Sequence, residues 1–147
     1  GVTTNTGWQA HDTNFCASPN KWYFVVAWEN NQTKNYGLYI NGINQFTLSF
    51  TGNIIPASGF NIGLFSYQGA YFPGDIADVQ IYNTSLSTSD IQTLYQEGIG
   101  GVPIDLNYLV AWYPLNGNAD DYSGNNNNGQ INNVIFTTSW QNGYTSP

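Results

Sequence analysis

"GDIADVQIYNTSLSTSDIQTLYQEG" (74–98) holds the transition on which the fold turns. Its first half, 74–83, reads as a strand. Its second half changes period. Ser87 stands where a helix N-cap belongs, and Asp90 occupies the capping-box position three residues on. Ile91, Leu94 and Tyr95 recur on one helical face, and Gly98 suits a C-cap, so a short helix is predicted near 88–97. The stretch "GIGGVPIDLN" (98–107) is punctuated by Gly and Pro and reads as a linker.

Working outward, the chain continues to read as strand and turn. "KWYFVVAWE" (21–29) is an apolar run, and "NYGLYING" (35–42) and "QFTLSF" (45–50) flank Asn41-Gly42, a strong hairpin signal. "FNIGLFSY" (60–67), "LVAWYPL" (109–115) and "QINNVIFT" (130–137) complete seven predicted strands. So many short strands with one helix predict an all-β antiparallel sandwich or jelly roll. A chain of 147 residues is a natural size for one domain, and 41% apolar with 16% aromatic content is enough for a core. The domain divides into 1–98, a linker at 99–108, and a final segment at 109–147. The single Cys16 permits no internal disulfide, so packing must hold the fold. The sequence shows no signal peptide and no transmembrane run, so no membrane insertion is expected. It also has no Met, which reads as a processed product or a piece of a longer chain.

Charge excludes some partners. Two Lys and no Arg stand against nine acids, for a net charge of -7. So few cations cannot neutralise phosphates, which argues against nucleic acid and anionic lipid surfaces. The polar surface must instead be neutral, and 21 Asn lead it. Such a surface suits an extracellular or cell-surface protein.

Taken together, "KWYFVVAWENNQTKNYGLYINGI" and "IPASGFNIGLFSYQGAYFPGDIADVQIYNTSLSTSDIQTLYQEG" resemble the second half of a laminin G-like, concanavalin A-like lectin/glucanase jelly roll. The resemblance covers roughly residues 20–98. "LVAWYPLNGNADDYSGNNNNGQINNVIFT" (109–137) looks like the opening strand and loop of the same domain type, placed after its closing helix. Three arrangements satisfy this order. The domain is circularly permuted and closes on itself, or the final segment completes a neighbouring subunit by strand swapping, or the chain is an out-of-frame piece of a tandem array. In the first, strands 109–115 and 74–83 are neighbours in one sheet. The strands such relatives carry in between must come from residues 1–20 and 138–147, so open sheet edges are expected.

Glycoside hydrolases occur on this fold, and they need two carboxylates flanking the scissile bond. This chain has only Glu29 and Glu97, far apart in sequence. Asp75 and Asp78 are three apart and would face opposite sides of a regular strand. His11, Asp12 and Cys16 read as ordinary loop residues. No catalytic residue is predicted, and the protein is not expected to be an enzyme. For metals, Asn116, Asn118, Asp120 and Asp121 alternate like a hard-cation loop, making Ca²⁺ the candidate cofactor. Asp121, in "DYSG", is the position the resemblance marks. A loop that bonds its own backbone explains the same residues. Trp22, Trp28 and Trp112 lie in apolar runs and read as core, whereas Trp8, Tyr67, Tyr71 and Trp140 lie in loop-like stretches and are the carbohydrate-binding candidates. Asn31 and Asn83 head N-x-S/T tripeptides and are the N-glycosylation candidates.

The resemblance implies a non-catalytic extracellular module for adhesion or carbohydrate binding, with glycans as partners. The alternative is a structural subunit or repeat of an extracellular filament or surface layer. Its partners are then other copies of itself in a homo-polymer.

Overall fold

The computed structural model describes residues 2–55, 59–65 and 69–137. It contains nine strands and one α-helix among these residues. In chain order they are β1 (Val2–Thr4), β2 (Gly7–Gln9), β3 (Val25–Asn30), β4 (Asn35–Ile40), β5 (Ile43–Ser49), β6 (Leu64–Phe65), β7 (Ala70–Tyr71), β8 (Val79–Tyr82), α1 (Thr88–Glu97) and β9 (Leu109–Tyr113). All pairings are antiparallel: β1 with β2, β3–β4–β5 as a meander, β6 with β7, and β8 with β9. Mostly antiparallel sheet with one short helix is the expected all-β sandwich of jelly-roll type.

Local chemistry explains the best-formed parts. Asn41 (φ 50°) and Gly42 (φ 72°) form the two-residue turn between β4 and β5, both left-handed as a tight hairpin requires. The Asn41 backbone N–H donates to the Phe24 carbonyl (2.8 Å), and Asn41 Oδ1 accepts from the Phe24 N–H (3.0 Å). This turn docks on α1, where Gln92 Nε2 donates to the Gly42 carbonyl. A Cβ on Gly42 would stand 3.0 Å from the Tyr95 ring, so a side chain there would crowd it, at a φ that favours glycine. The helix starts on the expected capping box: Ser87 Oγ accepts from the Asp90 N–H, and the Asp90 carboxylate accepts from the Ser87 N–H. Gly98 ends it, with its N–H bonded to the Leu94 and Tyr95 carbonyls. Ile91, 1% exposed, and Leu94 form its buried face.

The strand 109–113 pairs with β8 of the same chain, so the two segments predicted to be neighbours share one sheet. Val79 stands opposite Tyr113, and Ile81 opposite Ala111. Leu109, Ala111 and Tyr113 are buried on alternate positions, the period-2 pattern of a strand with one face inward.

Four expectations need correction, each for a local reason. The run 21–29 becomes a strand only at Val25, because the Phe24 N–H bonds the Asn41 side chain instead of a strand partner. The strand 60–67 begins only at Leu64, behind Gly63 at φ 78°, and its last two residues, 66 and 67, lie outside the described residues. The strand 74–83 starts at Val79, because Asp78 takes φ 53°. No strand forms over 130–137, where Asn133 (φ 54°) breaks the extended run.

Residues 2–9 form a hairpin, within the stretch 1–20 from which further strands were expected. It is stitched to the chain after β5: the Asn5 N–H donates to the Asn53 carbonyl (3.0 Å) and the Ile55 N–H to the Thr3 carbonyl (3.1 Å). The Gln9 amide bonds both the N–H and the carbonyl of Thr51. Trp22, Trp28 and Trp112, expected in the core, are only half-buried.

Candidate functional site

Two places in the fold collect the residues singled out above. The first is the loop 115–129 behind β9. Its centre is Asp121, whose Oδ1 accepts from the backbone N–H groups of Trp112 and Ser123 and whose Oδ2 accepts from that of Asn127, all at 2.9 Å. Burial pushes the Asp121 carboxyl up, but these three donors together outweigh it and hold the group below the usual carboxylate range. The Asp121 N–H in turn donates to Asn128 Oδ1 (2.9 Å). Asn118 Oδ1 accepts from the Asp120 N–H (3.1 Å), and Asn118 Nδ2 donates to the Tyr122 hydroxyl (3.1 Å).

A cation would have to compete with backbone donors for both oxygens of Asp121, and Ca²⁺ needs six or more oxygen ligands. Asn116 also helps to line a neighbouring cleft. Among the described residues, no three His, Cys, Asp or Glu side chains gather in a metal-binding group.

That cleft is the second place. It has a volume of about 850 Å³ and is lined by residues from Phe60–Leu64, 71–78, 113–116 and 129–137, together with Trp22. Tyr71, 73% exposed, and Phe60 and Phe72, also exposed, supply flat aromatic faces in its lining. A smaller hollow of about 410 Å³, lined by Tyr71, Phe72 and Ile76 among others, adjoins it. Asn116, Gln130, Asn132 and Asn133 bring neutral amides, while Asp75 and Asp78 bring carboxylates. Asp75 and Asp78 thus line one cleft rather than opposite faces, because the left-handed turn at Asp78 ends the regular alternation. Asp78 is already engaged: its Oδ1 accepts from Trp112 Nε1 (2.8 Å) and Gln80 Nε2 (3.4 Å). Beyond it, burial pushes the Tyr82 hydroxyl up to about 12, aided by the charges of Asp105, Asp78 and Glu97.

Of the four aromatic candidates, Tyr71 lines the cleft and Trp8 does not. Trp8 stands on β2, not in a loop, and is 63% exposed. Tyr67 and Trp140 lie outside the described residues. Trp22, read as core, contributes to the lining instead. The sequence signal for it was hidden by the apolar run 21–29, which predicts a strand from its start, whereas β3 begins only at Val25. Asn31 and Asn83 are both exposed. Asn31 sits in the turn after β3, where its Oδ1 accepts from Lys34 Nζ (2.8 Å). The Asn83 N–H donates to the Tyr108 carbonyl (2.9 Å) just past β8. Glu29 lies on β3 and Glu97 ends α1, and neither lines the cleft.

The sheets and the single capped helix define a jelly roll with an aromatic cleft. Residues 1–92 match the family model for the concanavalin A-like lectin/glucanases superfamily, in its laminin G form. The chain belongs to that superfamily. The match takes in the N-terminal hairpin and ends within α1, ahead of β9 and its loop. The superfamily includes both enzymes and non-enzymes, and domains of this kind point to a carbohydrate-binding or adhesion-type module. Comparison with the curated proteins and with the solved structures gave no match. No helix among the described residues is long and apolar enough to cross a membrane.

Proposed function

We propose that this chain is a non-catalytic extracellular module that binds carbohydrate at the cleft between 60–78 and 113–136. One observation carries the reading: exposed aromatic faces at Phe60, Tyr71 and Phe72 share a cleft with the amides of Asn116, Gln130 and Asn132. Aromatic faces stack on the apolar faces of sugar rings, and amides both donate to and accept from sugar hydroxyls. The absence of catalysis rests on the carboxylates. Asp78 is tied to Trp112, and the two Glu stand elsewhere, so no free acid pair flanks the cleft as hydrolysis requires.

Tyr71→Ala tests this reading. Titration with neutral oligosaccharides, followed by Trp fluorescence, is expected to show binding that weakens about tenfold or more in the variant, as for an aromatic hot spot. The melting temperature should stay unchanged. Equal affinity in both proteins would remove Tyr71 and the cleft from the account.

A second reading has its own support. Ile131, Val134 and Ile135 are exposed on a segment with no strand partner. That is what a chain would carry if this segment completed another copy in a filament or surface layer. Sedimentation of the full chain over a concentration series distinguishes the two: a single monomeric species supports the module, and growing polymers support the subunit.

A further inference from the structure

We infer that the cleft selects neutral or amine-bearing glycans and rejects uronic, sialylated and sulfated ones; this rests on the carbohydrate reading above. The lining includes Asp75 and Asp78 but no Lys, Arg or His. The chain has only two Lys from which a counter-charge could come. Lys34 is committed elsewhere, with its Nζ donating to Asn31 Oδ1 and Asn53 Oδ1 at 2.8 Å each. Lys21 precedes Trp22 but stays out of the lining.

An anionic sugar entering this cleft gives up water and meets no cation. A desolvated charge without a partner is strongly disfavoured. It also meets the exposed Asp75 carboxylate and the negative π-faces of Tyr71, Phe72 and Phe60. Neutral hydroxyls meet no such penalty, because Asn116, Gln130, Asn132 and Asn133 serve them without burying a charge. A protonated sugar amine is drawn to Asp75 and to the same aromatic faces. The two acids differ in this role. Both carboxylates keep their charge, but Asp78 Oδ1 is held by the Trp112 indole N–H, so the exposed Asp75 is the acid free to meet a ligand directly.

Oligosaccharides matched in length and linkage but differing in charge provide the test, using the intact chain in EDTA so that no metal bridges carboxylates. β-1,4-Mannohexaose is compared with the β-1,4-mannuronate hexamer, and cellohexaose with fully deacetylated chitohexaose. At about 20 mM salt, where screening is weak, each neutral hexaose should bind about tenfold or more tightly than the mannuronate, and chitohexaose at least as tightly as cellohexaose. Raising salt to about 0.5 M, or substituting Asp75→Asn, should narrow the neutral-to-uronate gap to about threefold. Mannuronate binding equal to or tighter than mannohexaose overturns the charge selectivity while leaving the carbohydrate reading intact. If no member of either series binds, and Tyr71→Ala changes nothing, both readings fall.

Discussion

The loop 115–129 and the segment 130–137 are adjacent in sequence and opposite in behaviour. The first is almost all Asn, Asp and Gly, yet it is ordered by a dense set of hydrogen bonds. The second is richer in Ile, Val and Phe, yet it forms no strand, and Ile135 is 86% exposed. The difference lies in what each finds to bond. β9 has one edge on β8, and its other edge would be left bare. The loop fills that edge. Asp121 Oδ1 takes the Trp112 N–H, the Trp112 carbonyl takes the Tyr122 N–H (2.8 Å), and Asn125 and Asn127 donate to the Val110 carbonyl (3.1 and 2.9 Å). Ser123 Oγ donates to the same carbonyl (3.2 Å), and Asn125 also reaches that of Leu109 (2.9 Å). Polar side chains here stand in for a missing strand, which also shields the edge from pairing with another chain. The apolar segment has no such edge to join, and Asn133 bends it.

The sharpest way to break this contrast is Asp121→Ala. It removes the acceptor of three backbone N–H groups at once and should destabilise the fold by about 2–3 kcal/mol, as for hydrogen bonds to a charged group. Urea unfolding checks this, and a change under about 0.5 kcal/mol would mean that the loop is decoration. The same carboxylate predicts a pH dependence. Its folded pKa lies below the unfolded value of about 3.9, so its stabilisation is fully present above that value. It is lost as pH falls through the lower folded pKa. Acid unfolding of the parent and of Asp121→Ala should therefore diverge above the unfolded value and converge once pH falls below the lower folded pKa.

A next, smaller effect comes from Gly42→Ala. It places a side chain at φ 72° and sets a Cβ 3.0 Å from Tyr95, where β4–β5 meets the helix. A loss of about 1–2 kcal/mol is expected. Unlike Asp121→Ala, it should leave hydrogen exchange of the Trp112 and Ser123 amides unchanged.

What the residues reveal in advance follows the same division. Features closed over a few residues were legible: the Ser87–Asp90 capping box and the Asn41–Gly42 turn. The strand near 109–115 was also legible, but not its inward face, since Trp112 reads as core while Leu109, Ala111 and Tyr113 are the buried residues. The β8–β9 pairing was legible through family likeness, not periodicity. Breaks were not. Gly63, Asp78 and Asn133 each adopt left-handed φ inside runs whose apolar content reads as continuous strand. Asn and Asp tolerate that conformation without demanding it, so composition alone cannot say where it occurs. The cleft was illegible for a different reason. Phe60, Tyr71, Asp75, Asn116 and Gln130 come from segments up to 70 positions apart, and only the β8–β9 pairing brings them together. Tyr71 alone among them carried a signal, as an aromatic between two predicted strands.

The smallest expected effect sharpens the comparison from the other side, by adding calcium. If the loop 115–129 is held by its own backbone bonds, Ca²⁺ at about 1 mM should shift the melting temperature by less than about 1 °C. A site filled a hundredfold over its Kd would instead add about 2.7 kcal/mol, a shift of several degrees for a chain of this size. The alternating Asn116, Asn118, Asp120 and Asp121 cannot all turn inward while Asp121 holds Trp112, Ser123 and Asn127 and while Asn118 Oδ1 holds Asp120. A calcium-dependent rise in the parent that vanishes in Asp120→Asn would show that the loop exchanges its backbone donors for a cation, and would place it with the metal-binding loops it resembles by spacing.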